Sequence, residues 1–562
     1  MLQEFLAQRI KRGFVRRLNN ARIASMAREA ARRAPQPSGQ PVAFFKASTG
    51  IDDLSWNSGF HLLTSWALRL QGVPAVYFAC RAGMSHCVLG TNRHDVHKEP
   101  PCRSCVYQSR TLYAGLEPPD APGPVRAAAP GTHVHWFAFN RDPNLDQALE
   151  NLSLTQLSEF RWIMAAESRT AAPTEGLTLP LGPLCLPGLR WILRRYNLDD
   201  DENTRFLLRE YILSAWNVAR EFSRFLDKTD PRAVVVFNGQ FYPEATARFV
   251  AQRRGVRVIT HEVGLQPASA FFTDGEATAY PIHIPDDFDL TRDQNARLDE
   301  YLQQRFQGRF SMAGIQFWPS MRGLGDAFLM KARQFRQIVS VFTNVVFDTS
   351  QPHANTVFAD MFAWLEAILT AIRAHPDTLF VIRAHPDETR TRKESRETVQ
   401  EWVTQQGVDR LDNVIFIAPQ EYLSSYELIQ RSKFVLVYNS TIGLEASIMG
   451  QPVLCGGQAR FTQYPTVFFP QSISEQQAAL KRFLEADSIR VPPEFQRNAR
   501  RFLYYQLFRA SLPFGEFLEP SVRTTQTRLK IFGLDRLSPE NSLAVEAVSS
   551  GLLHGGDFLL RE

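Results

Sequence analysis

Apolar residues in this chain fall into two alternating patterns, short unbroken runs and runs at helical spacing. Both meet most clearly in residues 433–456, KFVLVYNSTIGLEASIMGQPVLCG. Residues 434–438 are an unbroken run rich in β-branched and aromatic side chains, as a strand buried on both faces requires. Asn439, Ser440 and Thr441 follow at once, all of them helix-capping residue types. Residues 443–449 read as a short helix with Leu444, Ala446 and Ile448 apolar, stopped by Gly450. Pro452 then opens a strand at 453–455. A polar turn between a parallel strand and a helix lies at the carboxyl edge of a sheet, where open α/β folds bind ligands. Small hydroxyl residues there leave room for a phosphate, and the Glu445 carboxylate, one turn on, is placed to accept bonds from ribose hydroxyls. An ordinary capped crossover carries the same signature.

The alternation runs through the preceding hundred residues. Strands are predicted at 338–347, 378–382 and 414–417, and helices at 359–375, 394–404 and 422–431, which makes a doubly wound parallel sheet. A second α/β pattern begins earlier, with a strand at 42–45, a polar loop at 48–57, a helix at 59–70 and a strand at 74–79. A strand at 134–139 and a helical insertion including 145–162 and 204–226 follow. The pattern then returns as strand 233–237, helix 243–254 and strand 256–260. Polar turns, Asn238-Gly239-Gln240 and His261-Glu262-Val263-Gly264, close the last two strands. Asp52, Asp53 and His61 at the first loop, and Glu262 in the last turn, are placed where a catalytic base could sit. Solvated carboxylates are the competing reading. Residues 281–323 read as an irregular bridge. The expected organisation is a basic helix and linker over 1–40, a first domain over 41–320, a second over 321–515, and a tail over 516–562.

At 562 residues, 44% hydrophobic and 22% charged, the chain has the composition of a globular protein with at least two cores. No apolar run approaches the roughly 18 residues of a membrane span, and no signal-peptide core opens the chain, so a cytoplasmic location is expected. The net charge of +5 is uneven: residues 1–34 hold nine Lys or Arg against two Glu, a local +7. Leu2, Leu6, Ile10, Phe14 and Leu18 recur every four residues, with Arg9, Arg12, Arg16 and Arg17 to the sides and back. Such a helix either lies on an anionic membrane surface, at the inner face of the cytoplasmic membrane, or docks on the protein's own body. No nucleic-acid partner is expected. Cys80, Cys87, Cys102 and Cys105 have the spacing C-x6-C-x14-C-x2-C. Four thiolates in 26 residues fit a structural zinc site, with an iron–sulfur cluster as the second choice and four reduced thiols as the metal-free reading. His86, His94 or His97 could replace one thiol.

Arg383-Ala384-His385-Pro386, then Ser424-Ser425-Tyr426, then Asn439-Ser440-Thr441-Ile442-Gly443-Leu444-Glu445-Ala446 resemble the bacterial capsule polysaccharide biosynthesis proteins. These are relatives of the Kdo transferases of capsule assembly and, more remotely, of the teichoic acid glycerophosphotransferases. The resemblance covers about 340–469, with a weaker echo at His261-Glu262-Val263-Gly264. It implies a GT-B-like α/β fold of two Rossmann-like doubly wound domains facing a cleft, with a nucleotide-activated donor held mainly by the second. It places His385, Asn439, Ser440 and Thr441 near the donor phosphates and Glu445 at the ribose, with Arg383 and Gly443 completing the donor-binding set. The cysteine block is not part of the Kdo transferase pattern.

The implied activity is metal-independent transfer of a sugar from a nucleotide donor to a surface or capsular glycan, free or lipid-linked, without a catalytic cofactor. The departing phosphate gains charge that a histidine, an arginine and backbone N–H groups can stabilise. The acceptor hydroxyl needs a base, and Asp53 and Glu262 are the candidates. A nucleotide-sugar 2-epimerase, or a non-catalytic glycan-binding or assembly protein, are the other readings.

Overall fold

The computed structural model describes residues 2–46, 51, 53–116, 132–165, 176–307, 322–390, 393–523 and 525–562, with side chains in the first helix from Ile10 onward. Strands before residue 279 are Val42–Lys46 (β1), Ala75–Cys80 (β2), His133–Phe137 (β3), Trp162–Met164 (β4), Leu177–Leu179 (β5), Ala233–Phe237 (β6), Arg257–Val263 (β7) and Ser269–Thr273 (β8). Next come Gln337–Phe342 (β9), Thr378–Arg383 (β10), Val414–Ile417 (β11), Phe434–Val437 (β12) and Val453–Cys455 (β13). Leu512–Pro513 (β14), Leu518–Pro520 (β15) and Thr527–Leu529 (β16) end the series. The chain forms two units. One comprises Met1–Ile192, Leu198–Thr278 and Arg509–Glu562; the other comprises Leu193–Asn197 and Ala279–Phe508. Both are Rossmann-like, each built on a mainly parallel, doubly wound sheet, as the sequence implied.

The first unit is built on a seven-stranded sheet in the order β14-β8-β7-β6-β1-β2-β3. β1 lies parallel to both β2 and β6. From β1 the chain runs outward to β2 and β3, then returns to β6 and β7 on the other side. Right-handed crossovers therefore put helices on both faces, and the order reverses between β1 and β6. All five β1 residues are buried. The helix Trp56–Leu70 starts where Ser55 accepts the Ser58 N–H, and it turns Phe60, Leu63 and Trp66 onto the sheet.

Three expectations change here. The expected boundary at 320 lies outside the described residues, and the division falls at 278/279 instead. The expected bridge contains the helix Arg292–Phe306, whose Thr291–Gln294 capping box was legible but short of apolar residues. Residues 516–562 are not a tail. β15 pairs antiparallel with β16, and Phe517, Leu518, Leu529, Val545 and Val548 belong to the same buried cluster as Phe44 and Trp66; just before them, β14 pairs antiparallel with β8. Its strands are two or three residues long, too short to show periodicity.

The N-terminal helix, Leu2–Arg33, docks on the first unit through its second half. Ile23, Met26, Ala27 and Ala30 are buried in the unit's core. The Asn19 side chain donates to Asp53 Oδ1 at 3.1 Å and to the Thr527 carbonyl at 3.3 Å, and it accepts from the Leu529 N–H at 3.0 Å. Nearer the start, Ile10, Phe14 and Leu18 are 73%, 63% and 52% exposed.

The second unit has a five-stranded, all-parallel sheet in the order β11-β10-β9-β12-β13. The chain moves from β9 to β10 and β11, then returns to β12 and β13, so its reversal lies between β9 and β12. Gly443 permits the close approach of the helix Ile442–Ile448 to β12: a Cβ there would stand 2.8 Å from Val437 Cγ2.

Candidate functional site

Loops after β9, β10 and β12 converge at the carboxyl edge of the second sheet. Asn344 follows β9, His385 follows β10, and Asn439 to Thr441 follow β12. The Asn344 amide donates to Asn439 Oδ1 at 2.7 Å, bridging the point where strand order reverses. Asn344 Oδ1 accepts the Val345 N–H at 2.8 Å, which fixes the orientation of that amide. The Asn439 NH2 group remains a donor at the crevice. Thr343 donates its hydroxyl to the Arg383 carbonyl at 3.1 Å, tying the ends of β9 and β10 together.

His385 caps the short helix Pro386–Thr389 by accepting the Asp387 N–H at its Nδ1, 3.1 Å away. Burial holds the ring's pKa below the usual imidazole value, although Asp387 and Asp348 oppose it. A neutral ring that accepts at Nδ1 carries its proton at Nε2, so the side chain offers a single directed donor. Arg383 is buried at the end of β10. Burial brings its pKa down to about 10, against the pull of Glu421. Ser440 is buried and Thr441 half-buried at the start of the helix.

Glu445 is placed differently from its expected ribose role. It is 3% exposed and faces the unit's interior. Its Oε1 accepts from Arg305 Nε at 2.8 Å and Nη2 at 2.5 Å, and its Oε2 accepts the Tyr426 hydroxyl at 2.5 Å. This carboxylate holds Ile442–Ile448 to Arg292–Phe306. A sugar would have to displace charge-assisted bonds to reach it. Glu388, read only as part of a polar run, is 2% exposed, and burial raises its pKa to about 8.

In the first unit, Asp53 is also engaged. It accepts from Asn19, from the Leu54 N–H at 2.9 Å and from the Ser521 hydroxyl at 3.4 Å, so it anchors the N-terminal helix. Asp52 lies outside the described residues. β7 continues through Val263, so His261-Glu262-Val263 is strand and not turn, with His261 opposite Phe272. Glu262 is half-buried and accepts from the Asn238 amide and, at 3.1 Å, from the Val263 N–H. Asn238 and Gly239 both have positive φ, 58° and 83°, in the turn that ends β6 beside the reversal point. Lys46 closes β1 at the same place. His61 and His261 are fully buried, with Nδ1 of one 3.3 Å from Nε2 of the other. Sequence reasoning missed Lys46, buried at the end of β1. A lysine in an apolar strand was the available signal.

The four cysteines line one cavity. Yet among the described residues no three His, Cys, Asp or Glu side chains stand close enough to hold a single metal ion. Single-zinc geometry is thus not what this quartet presents. His86 and His97 turn to the helix Glu202–Thr229 instead, with ring centroids 5.4 and 4.2 Å from Phe206. Burial raises the thiol pKa of Cys80 to about 12, and those of Cys87 and Cys102 are raised for the same reason.

Residues 322–468 match the family described as capsule polysaccharide biosynthesis protein. The chain carries a capsule polysaccharide biosynthesis domain. That domain contains the Asn344–Asn439 bridge, His385 and Glu445, and it is the family that the two sequence motifs indicated. Among solved structures, the chain is similar to the KpsC β-Kdo 2,4-transferase of Thermosulfurimonas dismutans, at 11% identity over 55% of this chain and 87% of that one, TM-score 0.34. It is similar to the UDP-GlcNAc 2-epimerase of Neisseria meningitidis, at 15% identity over 52% and 80%, TM-score 0.24. It is also similar to the sucrose-phosphate synthase of Thermosynechococcus elongatus, at 11% identity over 84% and 94%, TM-score 0.26. No curated protein matches the sequence.

Proposed function

We propose that this protein is a glycosyltransferase that moves a sugar from a nucleotide-activated donor to a surface or capsular glycan. The observation that carries this reading is the Asn344–Asn439 bond across the strand-order reversal, beside His385, within the capsule-synthesis domain. The Nε2–H of His385, the Asn439 amide and the Ser440 and Thr441 hydroxyls are short donors suited to a diphosphate or phosphodiester. Arg383, buried at the end of β10, adds positive potential. A neutral histidine donor serves a leaving phosphate without itself needing to titrate. No metal is required for this arrangement. Glu262, which accepts from Asn238 in the turn after β6, is our choice for the acceptor's base. Asp53, held by Asn19, is not. Incubating the protein with CMP, UDP, GDP and CDP tests the donor assignment: at a hundred times its dissociation constant, the right nucleotide adds about 2.7 kcal/mol of stability. His385→Ala should abolish that shift while leaving the ligand-free melting temperature within a few degrees. A panel in which no nucleotide shifts the native chain removes the reading. Product formed without acceptor would favour the epimerase.

The same reading places the acceptor near a lipid surface, through the exposed Ile10, Phe14 and Leu18 and the arginines around them. Among the described residues, no helix is long and apolar enough to cross a membrane. The local charge can meet anionic lipid at about 1 kcal/mol per basic residue near the surface, screened over about 10 Å at 0.1 M salt. Deleting the whole helix would strip Ile23, Met26 and Ala30 from the core, so the informative variant is Ile10→Ser/Phe14→Ser/Leu18→Ser. The native chain should float with anionic vesicles at low salt and the triple variant should stay at the bottom of the gradient. Equal flotation of the two would refute surface binding by this stripe.

A further inference from the structure

In the first unit the N-terminal helix packs beside the helix Cys102–Leu112. At one end the packing is dry: Ile23, Met26, Ala27 and Ala30 share a buried cluster with Leu112, Tyr113 and Leu116. Gly115 lets the backbones approach there. Its φ is 86°, and a Cβ on it would stand 3.1 Å from Arg28 Cα and 3.2 Å from Ala31 Cβ. Earlier along both helices the facing residues turn polar, and a pocket of about 210 Å³ opens. A single water needs about 10–15 Å³ of such space, so a molecule of several heavy atoms fits. Arg16 and Asn20 line it from the N-terminal helix, and Arg103, Ser104, Tyr107 and Gln108 line it from the other. Each set is spaced at one helical turn and so shares a face. Asn20 and Gln108 are 6% and 2% exposed, and Asn20 Oδ1 and Gln108 Nε2 are buried without a hydrogen-bond partner. Folded chains leave few such atoms unmatched, and here an acceptor and a donor line the same space.

We propose that this pocket binds a small phosphate ester of a polyol or sugar. The guanidinium forks of Arg16 and Arg103 match the oxygens of a phosphate group. Gln108 Nε2 and the Ser104 hydroxyl are further donors to the same group. Asn20 Oδ1 is an acceptor, which a phosphate dianion repels and a ligand hydroxyl satisfies. The pocket therefore suits an ester that carries hydroxyls better than it suits a bare anion. Tyr107, 64% exposed, adds an aromatic face at the rim on which a carbon skeleton can rest. A lipid glycerophosphate headgroup shares this chemistry, but the helix geometry favours a ligand from solution. Phe14 and Leu18 each stand two positions from Arg16, which puts them about 160° around the helix from it. A surface entered by the apolar stripe thus lies on the side away from the pocket. The site is separate from the donor crevice proposed for the second unit and does not depend on it.

The test is calorimetric titration of the full chain at low salt with glycerol 3-phosphate, glucose 1-phosphate and inorganic phosphate. At least one ester should bind, and more tightly than inorganic phosphate. Arg16→Ala/Arg103→Ala should weaken that binding about tenfold or more, because each arginine contributes charge-assisted bonds. Arg110→Ala, at an exposed arginine of the same helix outside the pocket, should leave it unchanged. So should His385→Ala, which keeps this site distinct from the donor crevice. The proposal is overturned if neither ester binds the native chain, if inorganic phosphate binds equally well, or if Arg110→Ala loses as much as the double variant. Loss in His385→Ala overturns it too, since the ester would then sit in the second unit. Binding to phosphatidylglycerol vesicles through Arg16 and Arg103, with none to soluble glycerol 3-phosphate, overturns the soluble source. If the double variant does not fold, the native chain decides: the bound ester should protect Arg16 and Arg103 from phenylglyoxal, read by peptide mass, and an absence of protection overturns the site.

Discussion

Glu445→Ala is expected to lower the stability of the second unit by about 3–5 kcal/mol, the typical cost of removing one partner from a buried ion pair. Arg305 would be left in the interior without its counter-ion. Burial works against the charge on that guanidinium, but Glu445 and the Tyr301 and Tyr426 hydroxyls outweigh it, so the side chain stays charged. Its Nη1 donates to Tyr301 at 3.2 Å, a weak substitute for a carboxylate. The Phe306 ring packs on Tyr426 with centroids 4.7 Å apart, so losing the Glu445 bond also loosens an aromatic contact. The measurement is a urea titration with separate probes for each unit, since two units need not unfold together. A companion variant, Arg305→Met/Glu445→Leu, should recover most of the loss, because it removes the stranded charge and keeps the volume. A ribose-binding Glu445 would give the reverse pattern: near-native melting and weakened nucleotide binding.

Acid is expected to unfold the first unit well before it protonates ordinary carboxylates. Burial holds the pKa of His61 well below the imidazole value, and His261 and Lys46 push the same way. Burial and Lys46 bring that of His261 to about 3. Both folded pKa values lie below the unfolded value near 6.5, so the unfolded chain takes up protons that the folded chain refuses. Stability is therefore complete above pH 6.5 and lost as the pH falls from there towards 3. The slope is about 1.4 kcal/mol per pH unit for each histidine. Glu244 acts in the opposite sense. Burial raises its pKa to about 7 despite Lys46, so its contribution is complete below pH 4.5 and lost as the pH rises through 7. The net effect of two histidines against one glutamate is destabilisation by acid. Urea midpoints between pH 4 and 7 should show it, and His61→Phe, whose ring can pack on Phe44 as the imidazole does at 5.0 Å, should flatten the profile. An unchanged slope in that variant would mean that the pair does not govern acid sensitivity.

The strand-by-strand reading of the second unit was recoverable because its strands are buried on both faces. Residues 414–417 and 453–455 were predicted at their observed bounds, and β12 to within one residue. A run such as FVLV has no polar face to compete with, and Asn439-Ser440-Thr441 marks its end chemically. The same logic located Arg383 and His385 at the end of β10.

What the sequence determined by itself was local: which runs are strands, which turns are polar, that four cysteines lie close in the chain, and that one helix is basic and amphipathic. Tertiary structure decided what faces what. Glu445 reads as a site residue from its spacing, yet Arg305, 140 positions earlier, draws it inward. His261 reads as a turn residue, yet antiparallel pairing with β8 extends its strand and buries it against His61. Asp53 reads as a loop base until Asn19 reaches it, and residues 516–562 read as a tail until their short strands pair with each other and bond to Asn19 of the N-terminal helix. The physical reason is the same each time. Periodicity and capping are set by neighbours within a few positions, whereas the partner of a buried charge or a short strand is supplied by segments tens to hundreds of residues away.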